Sequence, residues 1–229
     1  MATSEEQQPH VHPSTGIPCG RELPILFTGP MVRAIQAGAK TVTRRVVKPQ
    51  PYYLRRLDWG RFMSGLTVEA KAEELAKVLP KPHWSPGDCL WVRETWRQAH
   101  QSPEVHYRAD LDEPEAPGCW RPSIFMPKHA ARLFLPVVSV RAEFLLDITE
   151  EEALAEGVSR TVVPPVTAPG TEWGTAVFHV GEWPARRAYD SARAAFLAGW
   201  DRINPKYPAA ENPVVWRIEF RFPGGADRG

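Results

Sequence analysis

The sequence predicts an α+β fold with a mixed or antiparallel sheet, and three observations carry that expectation. Segments with strand-like alternation are clustered, chiefly at 89–98, 132–145 and 213–222, with helical patterns inserted between them. No βαβαβ alternation and no internal repeat is present. Neither GxGxxG nor GxxxxGK[ST] occurs, which removes dinucleotide and P-loop readings, and there is no nucleophile elbow or HExxH.

Composition sets the outer bounds. A chain of 229 residues has room for one large domain or two small ones with a sizeable core. Its 24 prolines are about twice the usual share, so many irregular connections are expected. The formal net charge of +1 provides no global field toward nucleic acid or membrane, and any such binding needs a local patch. Cys19, Cys89 and Cys119 are odd in number and lack CxxC spacing, so neither a disulfide framework nor a zinc site is indicated and a reducing cytoplasm fits. No apolar run approaches the ~18 residues that span a bilayer, and the N-terminus is polar rather than a signal sequence. A cytoplasmic location without a membrane partner is therefore expected.

Residues 1–22 have the composition of a disordered tail, His10 and His12 included, and order is expected from Leu23. Leu23 to Phe27 reads as a short strand ending at Thr28-Gly29-Pro30, where Thr28 can cap a helix and Pro30 sits in its first turn. The helix covers Met31 to Ala37, with Met31 and Ile35 on its buried stripe and Arg33 and Gln36 left for solvent or a site.

Gly38 stands where a left-handed residue ends that helix, and the chain then leaves as an extended segment carrying Lys40, Thr43, Arg44 and Arg45. Two readings of this segment stand side by side. A lysine close to a threonine is one way to activate a hydroxyl without histidine, because a desolvated amine loses its proton and acts as a base. The same residues also suit a solvated strand start.

Val46 to Phe62 is basic, broken by proline and aromatic. Tyr52, Tyr53 and Trp59 interleaved with Arg55, Arg56 and Arg61 suit base stacking with phosphate contact, or equally a loop packing its aromatics on the body. Glu69 to Leu79 has helical composition. Ser85-Pro86-Gly87-Asp88 is a turn, and from Cys89 to Gln98 the strand places Leu90, Val92, Glu94 and Trp96 on one face. Glu94 on that apolar face is either paired with a cation or lines a polar pocket, since a lone buried carboxylate is costly. Val105 to Ala109 reads as the next strand of a hairpin whose turn spans His100 to Glu104.

Arg132 to Leu145 is the longest strand-like stretch, bent at Pro136. In the helix that follows, Thr149 and Glu152 form a capping box and Gly157 closes the C-terminus. Glu156 is out of place there, because a glutamate in the last turn opposes the helix dipole. Ser159 to Trp183 reads as a Pro/Gly-rich insertion, a lid or an ornament. An amphipathic helix follows from Pro184 to Asn204, then a closing strand from Pro213 to Phe222 and a tail from 223 to 229.

The order of motifs resembles a known family. A helix ending in G-x-K-T-x-T-R, a P-G-D turn into a strand, a T-E-E-x-A-x-x-E-G helix, a helix with W-D-x-I-N and a final N-P-x-V-W-x-I-E-F strand are similar to the ASCH domain, most of all its larger phage and prophage versions. The resemblance covers 23–222 and implies a PUA-like, mixed or antiparallel β-barrel with flanking helices and two long insertions, near 47–85 and 159–183.

It also implies a chemistry. Some small bacterial ASCH proteins are amidohydrolases that remove the acyl group of N4-acetylcytidine with a lysine, a threonine and a glutamate, and the matching positions here are Lys40, Thr43 and Glu156. Neutral Lys40 would take the proton of Thr43, whose hydroxyl attacks the amide carbonyl, while Glu156 protonates the leaving amine or activates water. If Lys40 stays charged it is an oxyanion donor. Arg44, Arg45, Glu94, Trp96 and Tyr107 complete the candidate substrate-binding set. No cofactor and no metal is expected, the histidines lacking ligand spacing. The implied partner is a small nucleoside substrate. Nucleic-acid binding or ribonuclease activity is the alternative, through the arginines interleaved with aromatics.

Overall fold

The computed structural model describes residues 10–11, 16, 18–51, 63–99, 102–111, 119–163, 175–180 and 188–225. Its elements are β1 (His10–Val11), β2 (Pro18–Cys19), β3 (Glu22–Leu26), α1 (Gly29–Gln36), β4 (Val42–Val46), α2 (Val68–Val78), β5 (Cys89–Arg93), β6 (Trp96–Gln98), β7 (Val105–Tyr107), β8 (Phe134–Phe144), α3 (Glu150–Ala155), β9 (Ser159–Val163), β10 (Thr175–His179), α4 (Ala192–Ile203) and β11 (Val214–Phe220). The fold is α+β around a five-stranded mixed sheet in the order β3-β5-β8-β11-β4. β3 runs parallel to β5 and the remaining pairs are antiparallel.

The sheet bends at Pro136. β8 pairs with β5 through Phe134, Leu135 and Pro136, then with β11 from Val137 onward. Proline has no N–H for a ladder, so it stands where the strand changes partners. A register shift between Glu219 and Phe220 adds to the bend. The bend brings the edges β3 and β4 toward each other: Arg45 on β4 donates from Nη2 to the Leu26 carbonyl of β3 at 2.8 Å, and both Lys40 and Arg45 lie over the Phe27 ring. No ladder joins these two edges among the described residues.

One face of the sheet and α1 bury the main core, which includes Ile25, Val32, Ile35, Leu90, Leu135, Ile218 and Phe220. α2 is capped by Thr67, whose hydroxyl accepts from the Ala70 N–H, and buries Leu75 in the same core. A second cluster joins α3 to α4 through Ala153, Ala192 and Ala195. Among the described residues no helix is long and apolar enough to cross a membrane.

Several expectations change on contact with the structure. Order begins before Leu23: β3 opens at Glu22, Cys19 is buried, and the Gly20 N–H donates to the Gly87 carbonyl at 2.8 Å. The stretch read as one strand over 89–98 is two, β5 and β6, and β6 pairs with β7 in the expected hairpin. The described part of the 159–183 segment is an antiparallel hairpin of β9 and β10. α4 starts at Ala192 and is capped by Ser191, whose hydroxyl accepts from the Ala194 N–H, and its N-terminal amides also meet the Glu150 carboxylate. Pro184, the expected start, lies outside the described residues, as do most of the N-terminal segment and residues 226–229.

Asp88 fixes the turn into β5. Burial would push its carboxyl up, but hydrogen bonds from Arg21 and the Ser85 N–H outweigh this and hold it below the usual aspartate range. The unfolded chain therefore binds this proton more tightly, and the stability due to Asp88 is present above the ordinary value of about 3.9 and lost as the pH falls through the folded value. Urea midpoints between pH 7 and pH 2.5 are expected to fall more steeply for the native chain than for Asp88→Asn; equal acid slopes would remove this assignment.

Candidate active site

The site is built where α1, β4 and α3 meet. α1 ends at Ala37, and Gly38 takes φ +75°, as its place after the helix requires. The amides of Gly38, Ala39 and Lys40 return to the carbonyls of Ile35 and Ala34, which turns the chain sharply into β4. Lys40 then forms an isolated antiparallel bridge with Glu156, and the Thr41 N–H donates to the Ala155 carbonyl at 2.9 Å. The C-terminus of α3 is thus tied to the start of the edge strand.

Gly157 makes that approach possible. Its φ is +92°, and a Cβ there would lie 3.2 Å from the Ala34 Cβ and 3.3 Å from the Lys40 Cβ. Glu156 is the C-cap of α3, one position beyond the last turn in which the sequence placed it.

Lys40 is fully buried, and its Nζ donates to the Val42 carbonyl at 2.8 Å, the Glu156 carbonyl at 2.6 Å and Glu156 Oε2 at 2.7 Å. Three oxygen acceptors match the three protons of an ammonium. Burial nonetheless pulls the amine below the ordinary lysine range, with attraction to Glu156 opposing it. Lys40 also supplies the positive charge that a helix C-terminus favours, which resolves the misplaced carboxylate: the cation comes from β4 rather than from α3.

Arg44 extends the network. Its Nε donates to Glu143 Oε1 at 2.6 Å, Nη1 to Glu156 Oε1 at 3.1 Å and Nη2 to Glu152 Oε2 at 2.6 Å. Burial alone would lower its pKa, but Glu156, Glu143 and Glu152 together raise it. In register with Arg44 on β11 is Arg217, and opposite that on β8 is Arg141. Glu152 Oε1 accepts from both, at 3.0 Å from Arg217 and 2.8 Å from Arg141. The Thr149 hydroxyl caps the Glu152 N–H as expected of the capping box, while the Glu152 carboxylate is committed to the three arginines.

A cavity of about 660 Å³ lies along β4. Thr43, Arg44, Arg45, Lys48, Glu156, Trp84, Phe196 and Trp200 belong to its lining, together with Ser159 at the start of β9 and Val180 just after β10. Both sequence insertions therefore contribute wall, through Lys48 and Trp84 and through Ser159 and Val180. Thr43 is buried, and Lys40 itself is not in the lining.

Of the expected catalytic set, the structure joins Lys40 to Glu156 directly and puts Thr43 and Glu156 on one cavity wall. Arg44 and Arg45 also reach the cavity. Glu94, Trp96 and Tyr107 do not, and form a separate cluster. Glu94 takes two hydrogen bonds from Arg132, at 2.9 and 3.0 Å, which decides between the two readings of that carboxylate in favour of the ion pair. The Tyr107 hydroxyl donates to the Ala130 carbonyl, and Trp96 packs with Met126. The aromatic and basic residues Tyr52, Tyr53, Arg55, Arg56, Trp59 and Arg61 lie outside the described residues. Among the described residues no group of three or more His, Cys, Asp or Glu side chains is placed to hold a metal.

Glu143, Glu152, Trp84 and Phe196 were not singled out for a site in the sequence. A signal was present for Glu143: Arg141 with Glu143, like Arg217 with Glu219, puts charges two apart in a largely apolar strand, hence on one face. Comparison with protein-family models, curated proteins and solved structures returns no match for this chain.

Removing one partner of a buried ion pair leaves the other uncompensated, so Lys40→Met is expected to lower the unfolding free energy by about 3–5 kcal/mol. Gly157→Ala is expected to cost about 1–3 kcal/mol through its positive φ, with crowding against Ala34 and Lys40 adding to it. Urea denaturation measures both, and a loss under about 1 kcal/mol in either would contradict the role given to that residue.

Proposed function

We propose that the protein is an amidohydrolase removing acyl groups from N4-acylated cytosine nucleosides or related modified nucleobases in the cavity beside β4. The observation that carries this reading is the Lys40 amine, wholly buried and bonded to a carboxylate that lines the cavity together with Thr43. The accompanying fold is a PUA-like barrel of the ASCH kind, supported by the order of the motifs and by the approach of the two sheet edges at Leu26 and Arg45. The three free cysteines suit a cytoplasmic location.

The proton balance runs within the Lys40–Glu156 pair. Burial disfavours the Lys40 ammonium, which in the reaction passes a proton to Glu156, leaving an amine with a free electron pair. Lys40 Nζ exchanges the Val42 carbonyl for the hydroxyl of the next residue, Thr43, and takes its proton as Oγ1 bonds to the acyl carbon. The C–N amide bond breaks, and Glu156 returns its proton to the departing cytosine amine. Water then hydrolyses the threonine ester, releasing the carboxylic acid. The pair ends as it began, with lysine charged and glutamate ionised.

The nucleic-acid alternative has less support. Arg44, one of the arginines it draws on, is taken up by three carboxylates.

The test is to incubate the full-length protein with N4-acetylcytidine and follow loss of the acetylcytosine absorbance. Turnover is expected, reduced about 10²–10⁴-fold in Lys40→Met, the range for loss of a general base, and at least as much in Thr43→Val, which keeps the side-chain shape. No turnover by the native chain, or undiminished turnover in a folded Thr43→Val variant, overturns the proposal.

A further inference from the structure

Charge around the cavity is unbalanced once the buried network is accounted for. Lys40, Arg44, Arg141 and Arg217 are bonded among Glu143, Glu152, Glu156 and Glu219, four cations with four carboxylates. Arg45, Lys48 and Arg202 also line the cavity, and among the described residues none of them has a carboxylate within ion-pair distance. The acid in the lining is Glu156, already held by Lys40 and Arg44.

Two donors are unmet as well. Arg45 Nε and Trp84 Nε1 are buried N–H groups with no acceptor among the described residues. Such groups are costly to leave unpaired, and both belong to residues of the cavity lining. The hydrogen bond of Arg45 to the Leu26 carbonyl and its place over the Phe27 ring fix the guanidinium without neutralising it. The Lys48 ammonium lies over the Tyr207 ring, likewise without a counter-charge.

A ligand that satisfies this arrangement brings two negative charges and several acceptor oxygens, together with a flat apolar portion for the wall formed by Met31, Val158, Phe196 and Trp200. A cavity of about 660 Å³ has room for base, sugar and one phosphate. We infer that the cavity takes a nucleoside monophosphate, its phosphate monoester received by Arg45, Trp84 Nε1, Lys48 and Arg202. The identity of the base rests on the amidohydrolase reading; the phosphate subsite stands on the unmatched cations and donors.

Calorimetric titration of the full chain with cytidine and with cytidine 5′-monophosphate at low ionic strength tests the substrate class. The nucleotide is expected to bind about tenfold or more tightly than the nucleoside, as charge-assisted hydrogen bonds to phosphate provide. Arg45→Gln should remove that advantage, and Arg202→Gln, at an exposed position near the end of α4, should reduce it with the fold intact. Equal affinities for cytidine and its monophosphate overturn the inference. Tighter binding of a cytidine oligonucleotide with only internal phosphodiesters assigns the cations to a strand and overturns it too.

A second readout is independent of the base. The indole N–H resonance that disappears in Trp84→Phe is expected to shift when inorganic phosphate is added, and a resonance that stays fixed counts against the subsite. Binding of the nucleotide without hydrolysis of N4-acetylcytidine 5′-monophosphate would remove the amidohydrolase reading and leave the phosphate subsite standing. Hydrolysis with no preference for the phosphorylated form would do the reverse.

Discussion

Three arginines side by side across three strands are the constraint from which the rest of this structure follows. Arg141, Arg217 and Arg44 are directly paired in register across β8, β11 and β4, where like charges repel. The row is tolerable because acids reach it from two directions, Glu143 and Glu219 from the strands and Glu152 from α3. Glu152 touches all three arginines, so the sheet can bury its charged face only with α3 docked upon it. That docking carries Glu156 to Lys40 and gives the cavity one of its walls.

Lys40 sits between two demands. Its three oxygen partners hold an ammonium, while its burial favours the neutral amine. A lysine in water feels neither pull strongly and stays charged. Enclosed with the Glu156 carboxylate, it is pulled toward the neutral amine by burial and toward the ammonium by that charge, both at close range. Arg44 has no such latitude, with three carboxylates about it, and serves to position Glu156.

What could be read from the sequence was what neighbours along the chain decide. Gly38 after α1, Thr149 before α3, the hairpin of β6 and β7 and the alternation that buries Leu90, Val92, Glu94 and Trp96 all depend on a few consecutive residues. Lys40 with Glu156 was legible through motif order, though 116 positions separate them. Contacts with no local signature were not legible. Glu152 looked like half of a capping box and serves as the hub of a cross-strand network; Glu94 could be narrowed to a cation pair or a polar pocket, and only the fold supplies its partner, Arg132. Trp84 was hidden in a stretch read as an insertion, because its importance comes from where the chain returns. The motif W-D-x-I-N was visible as a pattern, but its physical reason required the fold: the Trp200 indole donates to the Tyr207 carbonyl and Asp201 accepts from the Ala209 N–H, which shapes the turn toward β11.

The bridge between Lys40 and Glu156 bears on how the molecule breathes. Peeling α3 away from the sheet would sever the Thr41–Ala155 backbone bond, the Lys40–Glu156 pair and the grip of Glu152 on three arginines in one event, because all of them span the same seam. Partial fraying of α3 would strand buried charges of one sign, so intermediate openings are disfavoured and the seam behaves as a single cooperative unit. The segments that contribute the remaining cavity wall, around Lys48 and Trp84 and at the β9–β10 hairpin, are outside this unit. The cavity wall is thereby divided between a part tied down by buried ion pairs and a part, at Lys48, Trp84, Ser159 and Val180, that takes no share in them.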